Sequence, residues 1–190
     1  MCSQSTLICK NVKIENCEIN AKNKVGAFVG QSRDGCKIYI DKDCAVTGTT
    51  IKASDGEAGK LIGTYHNGNS GTGEIVFAIP TNQVDVTVIL TNKDGWTFGT
   101  VTEPTEAKGI TAVKIKDDKI ARLFSENAYI NVRDSVKVND QEYSGHNKDT
   151  SVTVNGTSTA CAEVYFAPVT DYTPVTTVPN WVNGTENTGS

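Results

Sequence analysis

A short frame of small and apolar residues recurs along the chain, and it constrains the fold more than any other feature of the sequence. Each copy has a small residue, two intervening positions, a bulky apolar residue and another small residue. The copies lie at 25–30, 58–63, 94–99 and 120–125, and their first small residues are 33, 36 and 26 positions apart. Self-similarity at this period is typical of proteins built by stacking one structural unit. The repeat glycines expected to have a structural role are Gly26, Gly30, Gly59, Gly63, Gly95 and Gly99.

One repeat predicts three strands and three turns. The strands are expected at 25–29, 36–40 and 44–52, with turns at 31–35, 41–43 and 53–57. A unit that returns the chain to its starting point, about 4.8 Å further on, is one coil of a parallel β-helix. Small residues are expected where backbone layers pack closely or a corner needs positive φ. The sequence therefore predicts an all-β, right-handed parallel β-helix (a solenoid) of about four coils; Gly-rich turns in an ordinary sandwich are the alternative.

Composition agrees with a β fold. The chain has 20 Val, 14 Ile and 24 Thr, but only 4 Leu. Leu favours helices, whereas residues branched at Cβ suit a pleated strand. An all-α fold is excluded on this ground. With 37% hydrophobic residues the chain can also bury a core, so disorder throughout is not expected.

Three stretches of the first repeat resemble the GLUG repeat of bacterial surface proteins: VGAFVGQS at 25–32, GCKI at 35–38 and DCAVTG at 43–48. Residues 58–76 resemble a second copy, in which Lys60 and Leu61 replace Ala27 and Phe28. The copies at 94–99 and 120–125 depart from the pattern at Thr97, Ala121 and Ser125. GLUG repeats occur in large adhesin-like proteins and in the non-catalytic region of some immunoglobulin A peptidases. The resemblance implies a β-helical stalk or adhesion module and transfers no catalytic residue.

The chain changes character after the repeats. Residues 151–160 predict a hairpin, because Asn155-Gly156 suits a type I′ turn, and this hairpin is expected to cover the open edge of the last coil. Residues 167–190 contain three prolines and no Lys or Arg, which favours an extended linker or tail. The expected division is a repeat-built β-helix at 1–140, a C-terminal hairpin or cap at 141–166 and a Thr/Pro-rich tail at 167–190. The chain is expected to be part of a longer repeat protein.

Charge and hydropathy limit the classes of binding partner that can be expected. The net charge is −4 and no Lys/Arg cluster occurs, so a nucleic-acid partner is not expected. No apolar run approaches the roughly 20 residues that span a bilayer, so membrane insertion is not expected either. A host or environmental glycan or protein remains as a partner class. The resemblance places the chain at the cell surface or among secreted proteins, although the sequence shows no export signal.

Six cysteines are present, at 2, 9, 17, 36, 44 and 161. Their spacing lacks the close pairs of a zinc site and the even distribution of a disulfide framework. It matches successive strands instead, which favours buried reduced thiols, with disulfides as the alternative. No metal and no cofactor is expected.

Catalytic chemistry has little support in the sequence. His66 and His146 lie in Gly/Asn-rich turns without a nucleophile motif. Asp41 and Asp43, or Asp117 and Asp118, could serve as glycosidase carboxylates or as calcium ligands, yet the further ligands of a calcium loop are missing and such pairs are common at strand corners. The chain is therefore expected not to be an enzyme.

Three functions remain as hypotheses. The first is a non-enzymatic cell-surface module for adhesion or spacing. The second is a glycan-binding module in which Tyr39, Tyr65 and Trp96 expose rings that stack on sugars. The third and weakest is a β-helical polysaccharide lyase or glycoside hydrolase, which rests on fold analogy alone.

Overall fold

The computed structural model describes residues 2–54, 56–68, 73–91, 95–99, 101–103, 111–117, 119–145, 151–154, 156–160, 165–167 and 171–184. Over these ranges the regular structure is all-β, apart from a single 3-10 turn at Thr81–Gln83, which confirms the predicted class. The strands, in chain order, are β1 (Cys2–Ser3), β2 (Thr6–Cys9), β3 (Lys13–Glu15), β4 (Glu18–Ala21), β5 (Val29–Arg33), β6 (Lys37–Ile40), β7 (Ala45–Ala53), β8 (Ile62–His66), β9 (Glu74–Phe77), β10 (Val84–Leu90), β11 (Thr97–Gly99), β12 (Val101–Glu103), β13 (Ala112–Lys116), β14 (Lys119–Phe124), β15 (Ile130–Val132), β16 (Ser135–Val138), β17 (Gln141–Ser144), β18 (Ser151–Val154) and β19 (Thr157–Ala160).

Three sheets are built mainly of parallel pairs between strands far apart in the chain. The first has the order β1-β5-β8-β15, and the second contains β2-β6-β9-β16. In the third, both β3 and β4 pair with β7, which pairs on its other side with β10. Successive stretches of chain therefore contribute one strand to each sheet in turn, and the predicted parallel pairing is confirmed.

The register of these sheets brings like residues side by side. In the second sheet Leu7, Ile38, Ile75 and Val138 occupy one row across four strands. Ile38 and Ile75 are fully buried. In β10 buried residues alternate with exposed ones along the whole strand, as expected when one face packs on the core. The β-branched residues that dominate the composition thus form aliphatic rows between the sheets.

The repeat glycines lie where backbones approach each other closely. A Cβ added to Gly26 would be 2.6 Å from the Gly63 nitrogen, and one added to Gly63 would be 2.4 Å from the Val25 nitrogen. Gly59 and Gly30 have similar backbone contacts, with the Ile62 and Lys24 carbonyl oxygens. Only a residue without a side chain fits these four positions.

The third and fourth copies of the frame, expected at 94–99 and 120–125, do not stack on the first two. Residues of both copies lie in an antiparallel sheet of order β11-β13-β14. Gly95 has a φ of +76° and nothing within 4 Å of its added Cβ, while Gly99 ends β11. The segment that does stack on 58–63 is 126–131, since Ile130 pairs with Ile62. These two copies match the frame only in composition: a Cβ added to Gly95 meets no neighbouring backbone, and the copy at 120–125 has no glycine.

The strand boundaries of the first repeat were predicted unevenly. The strands expected at 36–40 and 44–52 appear as β6 and β7. The one expected at 25–29 is wrong: β5 begins only at Val29, and Val25 forms an isolated bridge with Ala58. The close approach at Gly26 replaces regular pairing in this stretch.

The predicted hairpin at 151–160 is confirmed, with Val154 opposite Thr157; Asn155 lies outside the described residues. However, it pairs with β12, and the described residues show no pairing between this hairpin and a parallel sheet. The edge strand β16 is instead paired by β17, which runs antiparallel to it. An antiparallel bridge between Val132 and Phe166 lies at the edge of the first sheet.

Residues 171–184, called here the C-terminal segment, pack against the outer face of the second sheet. The Val175 N–H donates to the Phe77 carbonyl at 3.0 Å. Trp181 meets Tyr39 edge-on, with ring centroids 6.3 Å apart, and Val182 is buried. The segment contains no strand, as expected for an extended tail, but its apolar side chains cover Tyr39 and Val76.

Four cysteines can be described. Cys9, Cys36 and Cys44 are buried reduced thiols, and Cys17 is an exposed one. Buried reduced thiols were expected; the side chain of Cys2 and all of Cys161 lie outside the described residues. Within the described ranges, no three His, Cys, Asp or Glu side chains converge as a metal site would require. The same ranges contain no helix of the length and apolar character needed to cross a bilayer.

Candidate functional site

A cavity of about 180 Å³ lies between the C-terminal segment and the strands β9, β15, β16 and β17. Its apolar wall includes Phe77, Tyr129 and Tyr172. Polar side chains from β17 and from the turn before it, together with two from the C-terminal segment, complete the lining; they are Asn139, Gln141, Tyr143, Asp171 and Thr173. This mixture of an apolar wall and a few polar groups is typical of ligand sites.

Three aromatic rings are packed on one another in the wall. The Phe77 and Tyr172 rings are perpendicular, with centroids 5.2 Å apart. The Tyr129 and Tyr172 rings are tilted by 36°, with centroids 4.6 Å apart. The Tyr172 hydroxyl donates to the Ile79 carbonyl. Burial, and to a lesser degree the neighbouring Tyr129, raises the pKa of Tyr172 well above its usual range, so this phenol stays protonated.

Asn139 holds the C-terminal segment on the sheet. Its Oδ1 accepts from the Phe77 N–H at 2.7 Å, and its Nδ2 donates to the Thr173 carbonyl at 2.7 Å. Asn139 and Asp140 both have positive φ, 48° and 66°, between the paired residues Val138 and Gln141. This is the geometry of a two-residue hairpin turn, which Asn and Asp tolerate well. The turn thus places one amide between the sheet and the C-terminal segment.

The rim of the cavity carries hydrogen-bonding groups. The Tyr143 hydroxyl donates to Gln141 Oε1 at 3.0 Å. Burial raises the pKa of Tyr143, and the nearby Asp171 carboxylate raises it further. An amide, a phenol and a carboxylate therefore lie close together at the entrance, where Gln141 and Asp171 are exposed.

The lining is suited to binding. It offers aromatic faces, amide donors, hydroxyl groups and one carboxylate, and the lining residues that the structure describes include no His, Cys, Lys or Arg. Such groups can hold a compact molecule that has an apolar face and a polar edge.

The aromatic residues proposed from the sequence for glycan binding do not form a site. Tyr39 is 1% exposed and Tyr65 is fully buried, so neither ring offers a face to a sugar. Tyr39 lies under Trp181, and the Tyr65 hydroxyl donates to the Cys36 carbonyl at 3.1 Å. Trp96 is half-buried in the antiparallel sheet region, with Lys116 Nζ 6.0 Å from its ring. The expectation of three exposed rings is corrected, because alternation along the strands turns Tyr65 inward and the C-terminal segment covers Tyr39.

Among the titratable residues singled out in the sequence, His66 is the last residue of β8, and Asp41, Asp43 and Asp117 lie in or beside turns. His66 Nε2 is 3.0 Å from Asp134 Oδ2, which also accepts from the Gly68 N–H. The Asp41 carboxylate accepts hydrogen bonds from the Lys42 backbone N–H and from the Tyr39 hydroxyl. His146 and Asp118 lie outside the described residues, and Asp117 occupies a left-handed turn. His66 and Asp41 are thus paired with neighbouring side chains or turn backbone, an arrangement common at strand corners.

The cavity residues were missed by sequence reasoning because they come from four separate stretches of chain. Their nearest signal is Asn139-Asp140 between two alternating runs, which is a hairpin signal and not a site motif. The tyrosines at 129, 143 and 172 share no spacing. Only the folding of the C-terminal segment over the second sheet brings them together.

Comparison with known proteins finds no matching family model, no similar curated protein and no similar solved structure. Inferences about function therefore depend on this chain's own residues and geometry.

Proposed function

We propose that the chain is a non-enzymatic structural and adhesion module of a bacterial cell-surface repeat protein, built as a short right-handed parallel β-helix. The observation that carries this proposal is the parallel pairing of strands from successive stretches of chain in three sheets. Rows such as Leu7, Ile38, Ile75 and Val138 are what stacked coils would produce.

The backbone contacts at the repeat glycines support the same proposal. Gly26 and Gly63 approach each other across adjacent layers so closely that no side chain fits. The resemblance of 12–77 to the GLUG repeat rests on these same glycines. In the proposal, this close packing stiffens the stack and suits it to hold a binding surface away from a cell.

The outer face of the third sheet is suited to contact with a partner. Its β10 strand presents Asp85, Thr87 and Ile89 to solvent in alternation, and Ile89 is 39% exposed. Across the same sheet, Lys52 Nζ lies 2.6 Å from Glu18 Oε2. An exposed, largely polar face of this kind is expected of a spacer or adhesion module, whose partner we expect to be a host or environmental glycan or protein.

Display of the chain on a non-adherent bacterium tests the proposal. We expect cells that display it to adhere to epithelial monolayers several-fold better than cells that display an unrelated domain in equal amount. Gly63→Val should abolish the gain, because its side chain would meet the backbone of Val25 and Gly30, whereas Gly95→Ala should retain it. Adherence no better than that of the unrelated domain would overturn the proposal.

A glycan-binding module is the second candidate, and the cavity beneath the C-terminal segment favours it. The hydrolase hypothesis has no comparable observation, since Asp41 is engaged by Tyr39 and by the turn backbone.

A further inference from the structure

We propose that the cavity beneath the C-terminal segment binds one pyranose ring of a neutral sugar. The proposal rests on the proposed function, to which it adds the chemical class of ligand that the module would take. It concerns residues of β17 and of the C-terminal segment, none of which belongs to the repeat frame.

The size of the cavity sets the size of the ligand. Its volume is about 180 Å³. An apolar protein cavity of about 150 Å³ accommodates a benzene molecule. The space therefore suits one six-membered ring with small substituents, while the rest of a longer glycan would extend through the entrance.

The walls suit a ring that is apolar on one face and polar around its edge. The half-buried rings of Tyr129, Tyr143 and Tyr172 line the cavity and can contact the C–H groups of a pyranose. Gln141, Tyr143 and Asp171 supply an amide, a phenol and a carboxylate at the entrance. Neighbouring sugar hydroxyls each donate and accept, so planar groups of this kind can bind them in pairs.

The charge of the lining residues favours a neutral sugar over other ring-sized ligands. Asp171 carries the only formal charge among the lining residues that the structure describes, and it disfavours an anion. An alkylammonium ion is also disfavoured. Tyr129, Tyr172 and Phe77 pack on one another and do not surround a central point, and Lys60 Nζ already lies 5.8 Å from the Tyr129 ring centre.

Titration of the full chain with methyl pyranosides, followed by amide chemical shifts, tests the proposal. The probes are the methyl glycosides of glucose, galactose, mannose and N-acetylglucosamine, with tetramethylammonium as the competing class. A ligand of roughly 13 non-hydrogen atoms is expected to bind with a dissociation constant on the order of 1 mM. The amides that shift should be those of 139–143 and 171–175.

Three variants distinguish the loss of a contact with the sugar from a loss of folding. Gln141→Ala should weaken binding of the sugar at least tenfold, and Tyr143→Phe, which keeps the ring, about threefold. Glu142→Ala is the matched control, because this residue lies between them on β17 and does not line the cavity. It should leave binding unchanged, and all three variants should retain the parent's far-ultraviolet circular dichroism.

Failure of every pyranoside to bind would overturn the inference, as would equal binding by Gln141→Ala or tighter binding of tetramethylammonium. Sugar binding by the purified chain without adhesion of displaying cells would contradict only the proposed function. Adhesion without sugar binding would contradict only the inference.

Discussion

Asn131 donates through Nδ2 to the Gly63 carbonyl at 3.1 Å, in a site from which water is excluded. The same amide donates to the Ala58 carbonyl. In the two preceding layers the corresponding positions are Gly30 and Gly63, where no side chain fits. The last parallel layer thus replaces a glycine with an amide that binds the backbone of the layer before it.

Replacing Asn131 with Ala should destabilise the fold. Two buried carbonyl groups would lose a donor, and we expect the free energy of unfolding to fall by about 2 kcal/mol. Asn127→Ala is the matched control, because Asn127 lies in the turn that precedes β15, the strand of Asn131, and is exposed. Urea unfolding of both variants checks the prediction, and equal losses would contradict it.

Replacing Gly63 with Ala should be far more damaging than the same change at Gly95. The added Cβ at Gly63 would lie 2.4 Å from the Val25 nitrogen and 2.6 Å from the Gly30 oxygen, and backbone atoms cannot easily move. We expect a loss of about 3 kcal/mol. At Gly95 the Cβ meets nothing within 4 Å, so only the left-handed φ costs free energy, about 1 kcal/mol. Urea midpoints that shift equally would show that the layers are not in close contact.

Part of the fold could be predicted from the sequence because the repeat glycines mark positions where two backbones lie too close for a side chain. Gly26 and Gly59 were recognised since close backbone contact leaves few alternatives to glycine. The layer at 126–131 could not be predicted, because Asn131 stands where the two preceding layers have glycine. Its side chain binds the backbone of the layer before it, so the glycine pattern is missing. The copy at 94–99, which leads into the antiparallel sheet, has the composition of the frame, but a Cβ added to its Gly95 meets no other backbone.

Replacing Asn139 with Gly should loosen the C-terminal segment. The change removes hydrogen bonds to the Phe77 N–H and the Thr173 carbonyl, and we expect a loss of about 2 kcal/mol. Asp140→Gly is the control, since both residues have positive φ and glycine removes the backbone strain of that conformation at either position. The ion pair of Asp140 with Lys137 is at the surface, so its loss should change stability far less. Thermal unfolding of the two variants measures the difference. The same melting temperature for both would argue against a role of Asn139 in holding the C-terminal segment on the sheet.

Alkaline pH should destabilise the fold through Cys9. Burial, aided by the neighbouring Cys44, raises the pKa of the Cys9 thiol from 9.0 to about 11. The unfolded chain therefore loses this proton first, so the contribution is fully present below pH 9.0 and is lost as the pH rises through about 11. Under reducing conditions the loss should reach up to about 3 kcal/mol.

Cys9→Ala should flatten this pH dependence of the urea midpoint between pH 8.5 and 10.5. Cys17→Ala should not, because that thiol is exposed. An unchanged slope in Cys9→Ala would contradict the assignment.

The candidate site was beyond sequence reasoning for a different reason. Tyr172 belongs to a stretch whose prolines and threonines predict a tail, yet it packs on Phe77, far away in the chain. Burial of Tyr39 likewise depends on Trp181. Contacts of this kind are set by the path of an irregular segment, which carries no periodicity to read.

Interstrand nuclear Overhauser contacts show whether successive repeats stack in parallel. The row Leu7, Ile38, Ile75 and Val138 should show amide-to-α-proton contacts between each neighbouring pair, in that order. Short α-to-α contacts between these strands, which indicate antiparallel pairing, or the absence of any contact between the strands of Ile38 and Ile75, would contradict parallel stacking.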